Sequence, residues 1–254
     1  MGVVNVTPDS FSDGGQWFGH EVAIAHARHL LDQGADLLDV GGESTRPGAE
    51  PVPTQEEISR VLPVVEALAA DHAVLSIDTI HAETARRAVA AGAVIVNDVS
   101  GGLADPDMTA TVAATDARYV VGHWRGNPLT MNDLTGYDDV VARVCEELAE
   151  RVDGALAAGI PAERIMVDPG LGFAKEAEAN WRILAHLHQV QQLGYPVLVG
   201  ASRKRFLADV VDPRVADQPM ARDHATAAVS ALAARAGAWG VRVHEVLSSL
   251  DAVR

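Results

Sequence analysis

Eight short runs rich in β-branched residues recur along the chain, and a longer stretch with helical periodicity separates each run from the next. Strands joined through helices run parallel, because the helix returns the chain to the same edge of the sheet. Eight such units in 254 residues are typical of an α/β fold with a single (β/α)8 TIM barrel, whereas open doubly wound sheets usually have fewer strands. The predicted strands are Gly2–Val6, Leu37–Val40, Val74–Ile77, Val94–Val96, Arg118–Val121, Ile165–Val167, Val197–Val199 and Val241–Val243.

No linker or change of composition divides the chain, so we predict one domain over residues 1–254. Apolar residues recur at helical spacing in Glu21–Gln33 and in Glu56–Ala70. The second of these helices is preceded by Thr54-Gln55-Glu56-Glu57, which matches the pattern of a helix-capping box. This pattern predicts that Glu57 caps the first helical turn.

A short repeat marks three helix-to-strand junctions. Gly34-Ala35, Gly92-Ala93 and Gly237-Ala238 each follow a predicted helix, and a polar residue stands five positions after each glycine. Glycine suits the left-handed conformation in which many helices end, and the alanine lets the chain turn directly into the next strand. The repeat predicts three polar residues near strand ends, namely Asp39, Asn97 and Arg242.

The charges exclude two classes of function. The chain has 35 acidic and 20 basic residues and a formal net charge of −15, so a face-wide cationic surface for nucleic acid or anionic lipid is not expected.

No apolar run approaches the roughly 18 residues that a membrane span needs. The single Cys145 lies on the apolar side of a predicted helix and allows no internal disulfide. We expect a cytoplasmic protein that binds neither nucleic acid nor membranes.

Chemistry in a (β/α)8 barrel lies at the carboxyl ends of the strands, where the βα loops begin. Polar residues follow all eight predicted strands. Any one of them is better explained as a helix cap or a solvated loop, but all eight together indicate a site at this rim. They lie in segments 5–15, 39–48, 78–79, 97–98, 123–124, 168–170, 202–205 and 242–244.

Two kinds of side chain separate within this ring of loops. Asp78, Asn97 and Asp168 offer acceptors and an amide that suit a flat heterocycle with N–H donors. The cationic residues suit a phosphate or diphosphate, and strands seven and eight are where barrels commonly bind phosphate. These residues are Arg46, Arg203, Lys204, Arg242 and His244.

Lysine is rare in this chain, since 18 of its 20 basic residues are arginines and only Lys175 and Lys204 are lysines. Lys204 belongs to the cationic residues of the rim, whereas we interpret Lys175 as a solvated loop residue. The histidines form no pattern typical of a metal site. A hard cation held mainly by substrate phosphates needs only one protein oxygen, which Asn5 can supply.

Seven segments, in order along the whole chain, resemble the signature segments of the dihydropteroate synthase family of pterin-binding enzymes. The long first two segments and Ala201–Phe206 are the most specific of these matches. The resemblance implies a folate-pathway transferase that condenses (7,8-dihydropterin-6-yl)methyl diphosphate with 4-aminobenzoate and releases diphosphate. It also implies Mg²⁺ as cofactor and a homodimer. The segments are Asn5–Gly15, Asp39–Gly48, Ser76–Thr79, Asn97–Gly102, Asp168–Lys175, Gly200–Phe206 and Arg242–Val246.

The resemblance also assigns roles residue by residue. The pterin-binding residues would be Asp78, Asn97, Asp168 and Lys204, with Phe173 and Gly200 lining the pocket. The diphosphate contacts would be Thr45, Arg46, Arg242 and His244, and the Mg²⁺ ligand would be Asn5. The aminobenzoate site would be shaped by Phe11, Pro47 and Ser202. The expected catalytic residues are Asp78, Lys204 and Arg46.

These roles favour a dissociative mechanism. Cationic groups and Mg²⁺ would stabilise the departing diphosphate, while Asp78 offers negative charge to a pterin whose methylene carbon becomes cationic. The aniline nitrogen then captures that carbon, so no side-chain nucleophile is needed. One residue departs from the family pattern: Gly122 stands where the family tends to have a bulky apolar residue, and we expect a looser pocket wall there.

Two other functions stay open at this point. A pterin-binding methyltransferase on a similar barrel would share Asp78, Asn97 and Asp168, but it would have no reason to gather cations around a diphosphate. A non-catalytic relative that binds pterins without turnover should have lost the segments Thr45–Pro47 and Ser202–Lys204, which this chain retains. Both alternatives therefore rank below the synthase.

Overall fold

In the part of the chain that the structure describes, eight short parallel strands alternate with helices. The structure is a computed structural model that describes residues 1–7, 15–45 and 48–254. Each strand overlaps one of the eight predicted strands, so their number and order are confirmed. They are β1 (Gly2–Asn5), β2 (Leu38–Gly41), β3 (Leu75–Asp78), β4 (Ile95–Asp98), β5 (Arg118–Gly122), β6 (Ile165–Asp168), β7 (Leu198–Val199) and β8 (Gly240–Val241).

The strands form a closed ring. Strands β1 to β6 pair side by side in chain order, and β7 pairs with β8. Two isolated bridges join these sheets, one between Val167 and Val197 and one between Gly2 and Val243. At the second bridge, Val3 N donates to Val243 O and Val243 N donates to Met1 O, both at 2.9 Å. The last strand is thus hydrogen-bonded to the first, and the predicted (β/α)8 barrel is confirmed.

Helices pack around this ring. Their apolar faces and the outward-facing strand residues, such as Val4, Val40 and Val96, share one continuous buried core. No helix in the described part of the chain is both long enough and apolar enough to cross a membrane. The helices are α1 (Gly15–Asp32), α2 (Thr54–Ala70), α3 (Ala82–Ala90), α4 (Met108–Ala113), α5 (Val140–Ala157), α6 (Ala177–Ala185), α7 (Leu187–Gln191), α8 (Asp223–Arg235) and α9 (Leu247–Val253).

Glycines end three of these helices as the repeat predicts. Gly34, Gly92 and Gly237 follow α1, α3 and α8 closely, with φ of 98°, 119° and 86°. A residue with a side chain is strained at such angles, which explains why glycine recurs at these junctions.

The barrel interior changes from apolar to polar along the strands. Strand side chains alternate between two faces, so residues two positions apart point to the same side. Two positions after four of the apolar interior residues, the chain places Asp39, Asn97, Asp168 and Gly200. The apolar residues therefore form a floor beneath a polar layer. This floor consists of Met1, Leu37, Ile95, Val120, Met166 and Leu198.

Two predictions about local packing are wrong. Glu57 does not cap α2; its side chain is buried and accepts hydrogen bonds from the hydroxyls of Thr79 at 3.0 Å and Thr84 at 2.5 Å. Gly122 does not loosen the pocket, because an added Cβ would lie only 2.5 Å from Cα of Val99. The end of β5 packs directly on the backbone that follows β4, and this close approach requires glycine.

Another close backbone approach involves Gly170, in the loop after β6. Its φ is 65°, and an added Cβ would lie 1.8 Å from the carbonyl oxygen of His123. The His123 carbonyl belongs to the loop after β5, so the two neighbouring loops are in contact through this glycine. Any side chain at position 170 would push these loops apart.

We predict that Gly170→Ala lowers the free energy of unfolding by about 4 kcal/mol, because it combines left-handed strain with steric overlap against backbone. Gly194→Ala is the matched control: φ is 85° there, and its added Cβ would have no atom of the described residues within 4 Å. The control should lose only about 1 kcal/mol. Urea unfolding of both variants measures the difference, and equal losses would contradict the prediction.

Candidate active site

Residues from four neighbouring strands meet at the carboxyl ends of the barrel. In register, Asn5 of β1 pairs with Gly41 of β2, Gly41 with Asp78 of β3, and Asp78 with Asn97 of β4. An added Cβ on Gly41 would lie 3.5 Å from Oδ2 of Asp78, so this glycine leaves space beside the carboxylate. The predicted site residues Asn5, Asp78 and Asn97 therefore lie along one level of the sheet.

A buried ion-pair network crosses the barrel at this level. Arg242, just after β8, donates from Nε to Oδ2 of Asp39 at 2.5 Å and from Nη2 to Oδ2 of Asp78 at 2.6 Å. Asn97 donates from Nδ2 to the same oxygen of Asp39 at 3.0 Å. Among the three residues of the sequence repeat, Asp39 thus contacts both Asn97 and Arg242. Asp39 is completely buried, and it received no role in the sequence analysis.

The pKa values of Asp78 and Arg242 are shifted in this network. Burial raises the pKa of Asp78 to about 7, although the Arg242 guanidinium opposes this shift. Burial lowers the pKa of Arg242, but attraction to Asp39 and Asp78 outweighs this effect, so the net shift is upward. Near neutral pH, Arg242 is therefore charged while Asp78 exchanges between its two forms.

Asp168 and Lys204 face a common space above Gly200, which Arg242 also borders. An added Cβ on Gly200 would lie 3.6 Å from Oδ2 of Asp168 and 3.8 Å from Nζ of Lys204. The Lys204 ammonium donates a hydrogen bond to the Leu171 carbonyl and lies 4.5 Å from the centre of the Phe173 ring. Gly200, Asp168, Lys204 and Phe173, all predicted site residues, are thus brought together.

Burial also perturbs the acidities of this second pair. It lowers the pKa of Lys204 to about 8, and the charge of Asp168 opposes this shift. Burial likewise raises the pKa of Asp168, against the charge of Lys204 and a hydrogen bond from the Gly170 amide at 2.7 Å. Each of the two groups stabilises the charged form of the other.

Asn97 provides an acceptor for a ligand. Its Oδ1 atom is buried and has no hydrogen-bond partner among the described residues, while its Nδ2 is used by Asp39. A buried acceptor without a partner costs about 1–3 kcal/mol of stability, which a bound N–H group would recover. The combination of this oxygen, the Asp168 carboxylate and the Phe173 ring suits a planar heterocycle with several N–H donors.

The remaining predicted residues lie nearer the mouth of the barrel. Ser202 Oγ accepts a hydrogen bond from the backbone amide of His244 at 3.1 Å and lies 3.0 Å from its Nδ1. Thr45 is half-buried in the loop after β2. Three predicted residues lie outside the described part of the chain, namely Phe11, Arg46 and Pro47.

Arg203 was expected among the cationic residues of the rim, but the structure places its side chain elsewhere. Its guanidinium forms two hydrogen bonds with the carboxylate of Asp223 in α8, at 2.7 and 2.8 Å. Such a two-point ion pair ties the loop after β7 to the helix that follows it. Arg203 is therefore engaged in holding the loop.

Lys175 is not a solvated residue, which corrects the sequence-based interpretation. Its side chain is buried, and Nζ lies 2.9 Å from the carbonyl oxygens of both Gly170 and Phe173. Nζ also lies 2.8 Å from Nδ1 of His123. One partner of Lys175, His123, is close in space but distant in the sequence. The local sequence pattern therefore could not reveal that Lys175 is buried.

The described residues contain no group of three or more His, Cys, Asp or Glu side chains that could hold a metal ion. A cation at this site would therefore need most of its ligands from a substrate. Asn5 is half-buried beside Gly41 at the rim and offers one amide oxygen. This arrangement fits Mg²⁺, which keeps several waters or phosphate oxygens when it binds a protein.

Comparison with known proteins agrees with this geometry. Residues 1–244 match the family model described as pterin binding enzyme. The dihydropteroate synthase of Mycobacterium leprae is 48% identical over 258 residues, which cover 100% of this chain and 90% of that protein.

Solved structures agree as well. A Xanthomonas albilineans dihydropteroate synthase with 4-aminobenzoic acid is 46% identical and has a TM-score of 0.92, covering 100% of this chain and 89% of that one. A structure of the same enzyme with 7,8-dihydropteroate is 43% identical, with a TM-score of 0.88 and coverage of 100% and 90%. By its matched family model, its full-length similarity and its fold, this chain belongs to the dihydropteroate synthase family of pterin-binding enzymes.

Proposed function

We propose that this protein is a dihydropteroate synthase that joins (7,8-dihydropterin-6-yl)methyl diphosphate to 4-aminobenzoate and releases diphosphate. The observation that carries the proposal is the convergence of Asp78, Asn97, Asp168, Lys204 and Arg242 in one buried space. Relatives with this name have been solved with 4-aminobenzoic acid and with 7,8-dihydropteroate. A pterin offers the N–H donors that the acceptors of this space require.

The pterin ring would be held by groups from β4, β6 and β7. Asp168 accepts from the amino-pyrimidinone edge, where a charged acceptor forms stronger bonds than a neutral one. The free Oδ1 of Asn97 accepts a further N–H. Phe173 packs against the ring face, and the Lys204 ammonium donates to a ring acceptor from above Gly200. Burial makes these directional contacts decisive for the choice of ring.

Asp78 would stabilise the charge that develops during the reaction. In a dissociative reaction, the bond from the methylene carbon to the diphosphate breaks first, and positive charge spreads into the pterin ring. An ionised Asp78 attracts this charge, and Arg242 keeps the carboxylate in place through its hydrogen bond at 2.6 Å. The 4-aminobenzoate nitrogen then forms the new bond to the carbon, and its proton passes to the released diphosphate or to solvent.

The diphosphate would be bound at the mouth of the barrel by Thr45, Arg46, Arg242 and His244. When bound, Mg²⁺ would neutralise charge on the departing diphosphate, with Asn5 as its protein ligand. Ser202 holds His244 through the backbone amide, so both residues keep a fixed position beside the mouth. Phe11, Pro47 and Ser202 would shape the aminobenzoate site.

We also propose that residues 1–254 act as one barrel domain in the cytoplasm. Cys145 is half-buried against the core, and burial raises the pKa of its thiol, so it is mostly uncharged and poorly reactive. A reducing compartment suits a chain with this single cysteine.

The direct test is to incubate the purified protein with the pterin diphosphate, 4-aminobenzoate and Mg²⁺, and to detect dihydropteroate by mass spectrometry. Product that disappears with EDTA and returns with added Mg²⁺ supports both the reaction and the cofactor. Pterin binding without product would favour the non-catalytic alternative. Methyl transfer from a reduced folate, with no dihydropteroate, would favour the methyltransferase.

The acidity of Asp78 predicts a pH dependence. The group loses its negative charge as the pH falls through about 7, so kcat/KM for the pterin diphosphate should fall about tenfold per pH unit below that value. The profile is measured between pH 5.5 and 8.5. Asp78→Asn is the matched control, because it should be slower at every pH and should retain, below pH 7, only the slope that comes from ionisation of the substrate. Above pH 7, loss of the Lys204 charge, whose pKa is about 8, should affect both proteins alike. The same slope in both proteins would contradict the assignment.

A homodimer is proposed from the family resemblance and from one apolar surface. A groove between α8 and the segment after β7 is lined by exposed apolar side chains, among them Val210 and Leu232, which are 58% and 59% exposed. Such a patch on a soluble protein usually marks a contact with another molecule. We propose that a second copy of the chain covers this groove.

Leu232→Glu should therefore convert a dimer to a monomer, because it brings a charge into an apolar contact. Sedimentation velocity at micromolar concentration measures the change. Leu103→Glu is the control, since Leu103 is 61% exposed in the loop after β4 and lies away from the groove. A monomeric wild type, or dissociation by both substitutions, would count against this interface.

A further inference from the structure

Both lysines of the chain contact the same short segment, residues 170–173 after β6. Lys204 donates to the Leu171 carbonyl and lies over the Phe173 ring. Lys175 reaches the segment through the carbonyls of Gly170 and Phe173. The segment is therefore held between a lysine assigned to the pterin pocket and a second lysine that has no assigned role.

The third partner of Lys175 is an acceptor, which follows from the state of His123. This ring is completely buried, and burial lowers its pKa to about 3, so it is neutral. Its Nε2 lies 3.0 Å from the carboxylate of Glu147 and must carry the hydrogen, because a carboxylate only accepts. Nδ1 then has no hydrogen and accepts from Nζ of Lys175 at 2.8 Å.

An ammonium group matches these three acceptors. Lys175 has three N–H donors arranged around one nitrogen, and Gly170 O, Phe173 O and His123 Nδ1 take one each. Burial lowers the pKa of Lys175 well below its ordinary value. The three acceptors around Nζ nevertheless match the three donors of the charged form, one more than a neutral amine has. The planar fork of an arginine cannot direct three bonds from one point. This explains a lysine in a chain where 18 of 20 basic residues are arginines.

Further contacts hold His123 and segment 170–173 in place. Glu147 is bound by Arg125 at 2.6 Å and lies 3.6 Å from Arg151, so its charge is balanced while it orients His123. On the other side, Asn180 is completely buried and accepts from the Gly172 amide at 2.6 Å. Segment 170–173 is thus attached to α5 through His123 and to α6 through Asn180.

We propose that Lys175 is a positioning residue for the pterin pocket: its bonds to Gly170 O, Phe173 O and His123 Nδ1 hold the Phe173 ring and the Leu171 carbonyl where Lys204 meets them. The proposal rests on the pterin-binding role of this pocket. Lys175 acts on the pocket only through segment 170–173. It contacts this segment from the side on which His123 and Glu147 lie. Without Lys175, the Phe173 ring and the Leu171 carbonyl are no longer held in a fixed position relative to the Lys204 ammonium.

The test replaces Lys175 by methionine, which fills similar volume without donors. Lys175→Met should raise the dissociation constant of pterin and the KM for the pterin diphosphate about tenfold, the effect of one or two lost buried hydrogen bonds. The KM for the aminobenzoate substrate should stay within about twofold. Pterin fluorescence measures binding without turnover, so an inactive wild type that still binds pterin contradicts the proposed function but leaves this test intact.

Two further variants separate positioning from general loss of stability. His123→Leu removes the third acceptor of Lys175 and the hydrogen bond to Glu147, but leaves the two carbonyl acceptors in place. It should weaken pterin binding in the same direction but less, which covers the case in which Lys175→Met does not fold. Arg164→Met removes a cation that bonds the Thr115 and Ala117 carbonyls at the other end of the barrel, and should lower stability without changing the KM for either substrate.

The proposal is overturned if folded Lys175→Met binds pterin like the wild type. It is also overturned if the KM values for both substrates rise together, or if Arg164→Met raises the KM for the pterin diphosphate as much. A wild type that binds no pterin at all would overturn both this inference and the function on which it rests.

Discussion

The ion pairs of Arg242 with Asp39 and Asp78 are the constraint on which the rest of the site depends. They join the last strand to the second and third across the barrel, over sequence separations of 203 and 164 residues. A buried carboxylate without its cation is strongly destabilising, so these residues can be buried only in a closed barrel. The hydrogen bonds between Val243 and the first strand provide that closure. Closure of the barrel therefore brings Arg242 to the carboxylates that it neutralises.

A floor and a polar layer follow from the alternation of strand side chains. The apolar floor excludes water from below, which strengthens every charge interaction above it. The polar layer then divides into a Lys204 half, which binds the pterin ring in the proposed function, and an Arg242 half, which holds Asp78 and contacts the diphosphate. Each half has its own support: Asp39 orients Arg242, and the segment held by Lys175 receives Lys204.

The sequence predicts the features that depend on local pattern, such as the ends of strands and helices. It does not predict the burial of side chains whose partners are distant in the sequence. The glycine repeat correctly singled out Asp39, Asn97 and Arg242, because strand length and helix ends are local properties. The burial of Lys175 has no local signature, because one of its partners, His123, is 52 residues away in the sequence. The same holds for Glu57, because its partners Thr79 and Thr84 lie on other elements.

The charge balance of the polar layer bears on the proposed dissociative reaction. Three carboxylates, those of Asp39, Asp78 and Asp168, face two cations, Arg242 and Lys204, so full ionisation leaves one negative charge in excess. The protein only partly accepts that excess near neutral pH, since burial raises the pKa of Asp78 to about 7. Positive charge growing on a bound ring would favour the ionised form. Asp78 would then stabilise the transition state more than the ground state, which is the condition for catalysis.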